Sequence, residues 1–147
     1  MKLSTRGRYA TRALLELALH NSGGSVTLKE IAQRQNISLR YLEHLITPLI
    51  AAGLVRTTRG PRGGISLAKP PGEIKLSEVI QLLEGSIAPV ECVDNPSVCQ
   101  RSEGCATRDV WSQVKKAVTN VLDSVTLLDL VECHKKKDFT DQATYYV

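Results

Sequence analysis

Apolar side chains recur every three or four residues in several stretches of the chain, which is the spacing of helices with one buried face. The first such stretch covers residues 8–20. A second, shorter stretch begins at Thr27-Leu-Lys-Glu30, which has the form of a capping box, and ends near Asn36. Ser38 then provides a suitable N-cap for a third helix. Two short helices joined by a tight turn are typical of a helix-turn-helix.

The third predicted helix has two different faces. Arg40, Glu43 and His44 lie on its polar face, where they would meet base edges if the helix entered a major groove. Arg40 can donate to guanine, and Glu43 can accept from cytosine. An ordinary solvated helix face is the alternative explanation for each of them. Pro48 removes a backbone hydrogen bond and costs about 3 kcal/mol in mid-helix, so a kink or break is predicted near Thr47. The apolar face comprises Leu42, Leu45, Ile46, Leu49 and Ile50.

Two short strands are predicted next, over residues 54–58 and 65–68. They are joined by the glycine-rich segment Arg59-Gly-Pro-Arg-Gly-Gly64. A hairpin of this kind directly after a helix-turn-helix is typical of the wing of a winged helix. Small residues let the backbone approach phosphates and arginine suits a narrow minor groove, which makes Arg59 and Arg62 candidate DNA contacts. The chain contains neither a GxGxxG pattern nor a P-loop, which excludes a nucleotide site of those types.

The second half of the chain begins with a stiff connector, Lys69-Pro-Pro-Gly72, followed by a short helix over residues 76–83. From about Ala106 the pattern becomes a heptad seam, which predicts a helix that crosses the same helix of a second chain. An intramolecular core helix is the alternative. Residues 132–147 are polar and predict a flexible tail. The seam consists of Trp111, Val114, Val118, Val121, Val125 and Leu128, at steps of three and four.

Charge divides the chain into two unequal halves. Residues 1–69 hold eleven Lys/Arg and three acids, a net charge of +8, whereas residues 70–147 hold eight Lys/Arg and twelve acids, a net charge of −4. A basic half joined to an acidic half indicates a polyanion-binding face, with a solvated basic surface as the alternative. No run approaches the roughly 20 apolar residues that cross a bilayer, and the N-terminus lacks the features of a secretory signal. We therefore expect a cytoplasmic protein without membrane contact.

Three of the four cysteines lie close together in Cys92-x6-Cys99-x5-Cys105, a segment with few apolar residues. The spacing lacks the CxxC pairs of zinc fingers and of dithiol redox motifs. Three soft thiolates on an irregular loop favour an iron–sulfur cluster, with zinc, thiol oxidation and inert cysteines as the alternatives. A cluster commonly takes four protein ligands, and only three are evident. The fourth would be a carboxylate, a histidine, a residue of a second subunit or an exogenous small ligand. Cys133 is interpreted as an idle thiol near a helix end.

Taken together, these segments resemble the Rrf-type transcription regulators, and within that family the iron–sulfur cluster regulators. The likeness rests on MKLSTRGRYATRALLELAL, on ISLRYLEHLITPLIAAGLVRTTRGPRGG, on the three cysteines and on the Trp-bearing helix, and it runs from Met1 to about Val131. It implies a homodimer that binds double-stranded promoter DNA and holds an iron–sulfur cluster on Cys92, Cys99 and Cys105. A 2Fe–2S cluster is favoured and a 4Fe–4S cluster is the alternative. The predicted DNA contacts are Arg8, Ser38, Arg40, Tyr41, Glu43, His44, Arg59, Gly60, Pro61 and Arg62.

The chain departs from the family pattern at the position of the fourth ligand. The cluster regulators have a histidine three residues after the third cysteine, where this chain has Arg108, a cation and a poor ligand. Relatives that sense nitric oxide take a carboxylate from the partner's first helix, at a position that is Arg8 here. The first cysteine gap is also one residue longer than the pattern. The remaining candidate ligands are Glu91, Asp94, Glu103, Asp109, His20, His44 and His134.

The sequence thus predicts a mainly α fold with a small β wing, a winged helix-turn-helix domain plus a long dimerisation helix. The segments are a DNA-binding domain over 1–70, a connector helix and sensor loop over 71–105, a dimerisation helix over 106–131 and a tail over 132–147. The predicted function is a regulator that senses iron–sulfur, redox or nitric oxide status. A cluster-free repressor that responds to thiol oxidation or a metabolite is the alternative. An enzyme is rejected because no acid–base constellation is evident.

Overall fold

The computed structural model describes residues 2–145 and consists mainly of helices with one small sheet. Three 3-10 turns cover Pro71–Glu73, Pro96–Val98 and Ser102–Gly104. The helices are α1 (Thr5–Leu19), α2 (Leu28–Gln35), α3 (Leu39–Ala51), α4 (Leu76–Glu84), α5 (Glu91–Asp94), α6 (Ala106–Ser124) and α7 (Leu127–Tyr145), and the strands are β1 (Val55–Thr58) and β2 (Gly64–Leu67). The predicted fold class, mainly α with a β wing, is confirmed.

The predicted caps fix the helix-turn-helix formed by α2 and α3. Thr27 and Glu30 make both bonds of the capping box at the start of α2. Asn36 ends this helix in the left-handed conformation, with φ of 52°, which a short polar side chain tolerates. Ser38 caps α3 by accepting a hydrogen bond from the Tyr41 amide at 3.2 Å. The turn between the two helices is therefore set by local polar residues that can be recognised from the sequence.

Helix α3 continues through Pro48, so the chain does not break near Thr47, and the kink offered as the other outcome stays a prediction. Leu45 and Leu49 are buried on either side of the proline, and their packing holds the helix despite the lost hydrogen bond. The helix ends in a Schellman motif at Gly53. The Gly53 amide bonds to the Ile50 carbonyl and the Leu54 amide to the Leu49 carbonyl, both at 3.0 Å.

The wing is an antiparallel hairpin with Val55 opposite Leu67 and Thr58 opposite Gly64. Val26, just before α2, adds a third segment, because its amide and carbonyl exchange 2.8 Å hydrogen bonds with Ile65. A Cβ at residue 64 would lie 2.4 Å from the Val26 carbonyl oxygen, so only glycine fits there. These bonds fix the wing to the start of the helix-turn-helix.

The predicted single helix over 106–131 is wrong, because the chain is extended at Val125 and Thr126. The Leu76 amide donates to the Val125 carbonyl at 2.8 Å, and the Leu127 amide donates to the Ile74 carbonyl at 3.0 Å. Asp129 accepts from both the amide and the hydroxyl of Thr126 and so restarts the helix as α7. The break joins the chain to the segment before α4.

Helix α7 returns to the core and extends beyond the predicted tail boundary. Leu127 and Val131 are buried with side chains from α1, α3 and α4. The part of the predicted flexible tail that the structure describes, residues 132–145, is helical, whereas residues 146 and 147 lie outside the described residues. An i,i+4 pair between His134 and Asp138, with Nε2 to Oδ2 at 3.1 Å, lies on this polar segment. None of the helices in the described range is long and apolar enough to cross a membrane.

Candidate nucleic-acid interface and cysteine loop

The recognition helix α3 presents the predicted polar face to solvent. Arg40, Glu43 and His44 are exposed, whereas Leu42 and Leu45 on the opposite side are at most 1% exposed. The apolar face is anchored in the core, so the direction of the polar face is fixed by packing. The structure therefore brings these three side chains onto one accessible surface, as the helical spacing predicts.

Helix α1 lies against the recognition helix through an aromatic pair. The rings of Tyr9 and Tyr41 meet edge to face, with centroids 6.1 Å apart and an interplanar angle of 79°. The guanidinium carbons of Arg8 and Arg12 lie 5.9 and 5.3 Å from the centre of the Tyr9 ring. Arg12 also donates to the Gln35 carbonyl at 2.6 Å, at the end of α2. Tyr9 belongs to the first apolar stretch, residues 8–20, and its contact with Tyr41 is not evident from the sequence.

The tip of the wing carries the other predicted contacts, and Arg59, Gly60, Pro61 and Arg62 are all exposed. Gly60 has a φ of 110°, a conformation that favours glycine. Ser25 was not among the predicted residues. Its hydroxyl donates to the Arg62 carbonyl at 2.9 Å and so ties the tip to the turn after α1. Its place in NSGGS, a turn-rich segment, gives no sign of this distant partner.

The cysteine loop, residues 86–105, links the end of α4 to the start of α6. Cys92 lies in α5, Cys99 follows the 3-10 turn Pro96–Val98, and Cys105 directly precedes α6. Cys99 is exposed, and Cys92 and Cys105 are partly exposed. The thiols are accessible, and hydrogen bonds from other side chains of the protein hold the backbone around them.

Ser102 stabilises this loop, because it is only 5% exposed and its hydroxyl contacts two backbone carbonyls of the loop. The Ser102 Oγ is 2.7 Å from the Pro96 carbonyl oxygen and 2.8 Å from that of Cys99, so its single proton is shared between two acceptors. At the beginning of the loop, the Ser86 hydroxyl donates to Asp94. The other carboxylate oxygen of Asp94 lies 2.5 Å from Lys115 Nζ on α6.

Arg108 contacts the loop as a hydrogen-bond donor. Its Nε donates to the Cys92 carbonyl oxygen at 2.8 Å, in a partly buried position on the first turn of α6. The guanidinium therefore holds the backbone of the first cysteine against the helix that begins after the third. A guanidinium has donors and no acceptor, so it cannot coordinate a metal in this state.

The Cys105 thiol has polar surroundings at the start of α6. Its Sγ is 3.2 Å from the Thr107 hydroxyl. This bond, assisted by the Arg108 and Thr107 backbone amides, lowers the pKa of Cys105, while burial and the Asp109 charge act in the opposite direction. Thiolate character makes a cysteine both a better ligand and a better nucleophile.

The donor set fits an iron–sulfur cluster in its chemistry, since three accessible thiols stand on one short loop. It does not fit in its arrangement, because the described residues include no group of three or more Cys, His, Asp or Glu side chains gathered as for a metal ion. Among the proposed fourth ligands, Asp94 is bonded to Ser86 and Lys115. Three thiols could meet on one group only after the loop rearranges.

Comparison with known proteins places the chain in a family of transcriptional regulators. Residues 3–133 match the Rrf2 family, described as an iron-dependent transcriptional regulator. The protein rrf2 of Nitratidesulfovibrio vulgaris is 45% identical over 131 residues, 89% of this chain and 87% of that protein. The structure of T. potens IscR superposes with a TM-score of 0.78 at 40% identity, over 93% of this chain and 90% of that chain.

The structure of CymR, the global cysteine regulator of B. subtilis, also superposes with a TM-score of 0.78, at 42% identity over 90% of this chain and 97% of that chain. The family match over residues 3–133 thus covers the wing, the cysteine loop, α6 and the start of α7, well beyond a shared helix-turn-helix. The resemblance inferred from sequence is confirmed, and the chain belongs to the Rrf2 family of winged-helix transcriptional regulators.

Proposed function

We propose that this regulator acts as a cytoplasmic homodimer that binds double-stranded promoter DNA and reports iron–sulfur or redox status through its cysteine loop. The observation that carries the DNA part is the polar face of α3, where Arg40, Glu43 and His44 are exposed while the other face is anchored in the core. A capped helix of this kind, followed by a wing with Arg59 and Arg62 at its tip, suits a major groove and the adjacent minor groove.

The homodimer part rests on α6. None of its 19 residues is buried in the single chain, although Val110, Trp111 and Val121 give it an apolar side. These three side chains are 50%, 39% and 61% exposed. A helix with this much exposed apolar surface needs a partner, and its heptad spacing is that of a helix packing on its own copy. Two copies would place two α3 helices on one face of a duplex.

The sensing part rests on the three thiols. Cys92, Cys99 and Cys105 supply the soft sulfur ligands that an iron–sulfur cluster prefers, and a bound cluster would supply redox chemistry at the loop. The loop joins α4, which packs on the DNA-binding core, to α6, the proposed dimer helix. A change in its fold would alter the distance between the two recognition helices, which must match a groove repeat of about 34 Å.

A second candidate is a sensor that uses the same thiols without a cluster, and one observation on the loop supports it. The loop is already ordered by Ser102 and Arg108, and its thiols are not gathered. CymR, whose structure is similar, is the global cysteine regulator of B. subtilis. In this version, oxidation of the thiols changes the loop and hence the dimer.

Anaerobic purification separates the two versions. The measurement is iron and acid-labile sulfide per chain together with the visible spectrum, on the same preparation whose DNA binding is measured. About two irons and two sulfides, or four and four, support the cluster. Iron-free protein whose DNA affinity changes on oxidation supports the thiol sensor. Protein that binds no duplex in any state contradicts the whole proposal.

A further inference from the structure

The N-terminal turn of α1 is capped twice, once by its own residue and once by a distant carboxylate. The Gly7 amide lies 3.2 Å from the Ser4 hydroxyl oxygen and 3.1 Å from Oε1 of Glu84, the last residue of α4. The Ser4 hydroxyl also donates to Glu84 Oε1. One carboxylate oxygen thus receives two donors from the beginning of a helix that is eighty residues away in the sequence.

The approach of Glu84 requires glycine at position 7. A Cβ added there would lie 2.5 Å from Glu84 Oε1 and 3.2 Å from Leu3 Cδ1. Gly7 is buried, and its backbone conformation is ordinary for a helix, so close approach explains the glycine and backbone freedom does not. The first turn of α1 contains no acidic residue of its own, so Glu84 supplies the negative charge that a helix N-terminus favours.

The two ends of this contact belong to different parts of the proposed mechanism. On one side, Glu84 is followed by Gly85, with φ of 72°, and then by Ser86, whose hydroxyl bonds to Asp94 in the cysteine loop. On the other side, Gly7 lies between Arg6 and Arg8, two exposed cations at the start of α1. Only one residue separates the carboxylate from the loop.

We infer that Glu84 is a positioning residue for DNA binding, which holds the first turn of α1 so that Arg8 faces the duplex. This inference rests on the proposed DNA-binding function. In this arrangement Glu84 itself does not contact DNA.

The test combines Glu84→Ala with Arg8→Ala in a double-mutant cycle. The probe is a duplex selected by the full-length wild-type protein from a library of random duplexes, and affinity is measured by fluorescence anisotropy. We expect each single substitution to weaken binding about three- to tenfold and the double variant to be no weaker than the weaker single variant. Additive losses would overturn the inference, since a general structural defect combines with the loss of Arg8 without interaction.

Glu78→Ala is the matched control, because Glu78 lies on the same helix in an exposed ion pair with Lys69 at 3.1 Å. It should leave affinity within about twofold of wild type. Hydrogen exchange of the Gly7 amide, followed by NMR, tests without DNA whether Glu84 holds the first turn of α1. We expect the Gly7 amide to exchange about threefold faster in Glu84→Ala than in wild type, and at the wild-type rate in Glu78→Ala. Unchanged exchange at Gly7 overturns the inference even if no duplex is selected.

Failure of the proposed function is recognised separately. If Arg59→Ala binds the selected duplex as tightly as wild type, the wing has no part in binding and the proposed interface is wrong. If Arg59→Ala is weakened while Glu84→Ala is not, the interface stands and only the role of Glu84 is overturned.

Discussion

Arg108 Nε donates a 2.8 Å hydrogen bond to the carbonyl oxygen of Cys92, at the position where the resemblance to the cluster regulators predicts a histidine ligand. The bond joins the first cysteine to the helix after the third, and it stabilises the loop without any metal. The same residue therefore stabilises the loop in its observed form and, as a donor without an acceptor, cannot be the fourth ligand that the resemblance predicts at this position. This relationship makes Arg108 the residue whose replacement best separates the two versions of the sensor.

Arg108→His should increase the iron and sulfide retained per chain after anaerobic reconstitution, because a neutral imidazole becomes the fourth ligand beside the three thiolates. It also removes the donor to Cys92, which loosens the competing fold of the loop. The measurement is the rate of loss of visible absorbance under a chelator, and we expect at least about a tenfold slower loss. Arg101→His, on the same loop, is the control and should behave as wild type. Equal loss from all three proteins contradicts the assignment of position 108.

Arg59→Ala should weaken operator binding and flatten its dependence on salt, since an arginine that reaches the DNA backbone releases counterions. Loss of one such contact lowers the slope of log K against log salt concentration by about 1. Arg56→Ala is the control, because Arg56 lies on β1 with its Nε donating to Ser66 at 3.2 Å, away from the tip. A wild-type slope in Arg59→Ala would remove this residue from the interface.

Val121→Asp should dissociate the dimer, because Val121 is the most exposed of the large apolar residues on α6, at 61%. An ion in the centre of an apolar helix seam is desolvated without a partner, which costs several kcal/mol. Sedimentation equilibrium measures the change, and the monomer should keep its far-UV circular dichroism. The control is Asn120→Asp, the adjacent exposed residue outside the seam, which should remain dimeric. A dimeric Val121→Asp protein would place the interface elsewhere.

Most of the fold could be predicted from the sequence because local signals agree with the packing. The capping box at Thr27, the Asn36 turn and Gly53 each set a helix boundary through neighbouring atoms. The heptad seam misled at one point, since it continues to Leu128 without interruption although α6 ends at Ser124. The end of α6 is set by backbone bonds to Ile74 and Leu76, about fifty residues away, and periodicity carries no information on such distant partners.

The candidate site shows the same division. The exposed face of α3 and the wing tip follow from spacing and glycine content, and both appear as predicted. The bonds from Ser25 to Arg62 and from Arg108 to Cys92 join residues that are distant in sequence. Neither bond can be read from a local sequence pattern, because the hydroxyl or guanidinium comes close to its carbonyl partner only when the chain is folded.

Asp129→Ala should destabilise the junction between α6 and α7, because Asp129 and Thr126 form the cap that restarts the helix there. The Thr126 amide and hydroxyl lower the pKa of Asp129, so the stabilising contribution is present above the unfolded pKa and is lost as the pH falls through the lower folded value. We therefore expect a lower Tm for Asp129→Ala at neutral pH and a difference from wild type that shrinks in acid. Asp123→Ala, on the exposed side of α6, should show neither effect. A Tm difference that stays constant down to the lowest pH at which both proteins are folded would mean that the carboxylate charge has no part in the cap, and that the break between α6 and α7 depends only on the backbone bonds to Ile74 and Leu76.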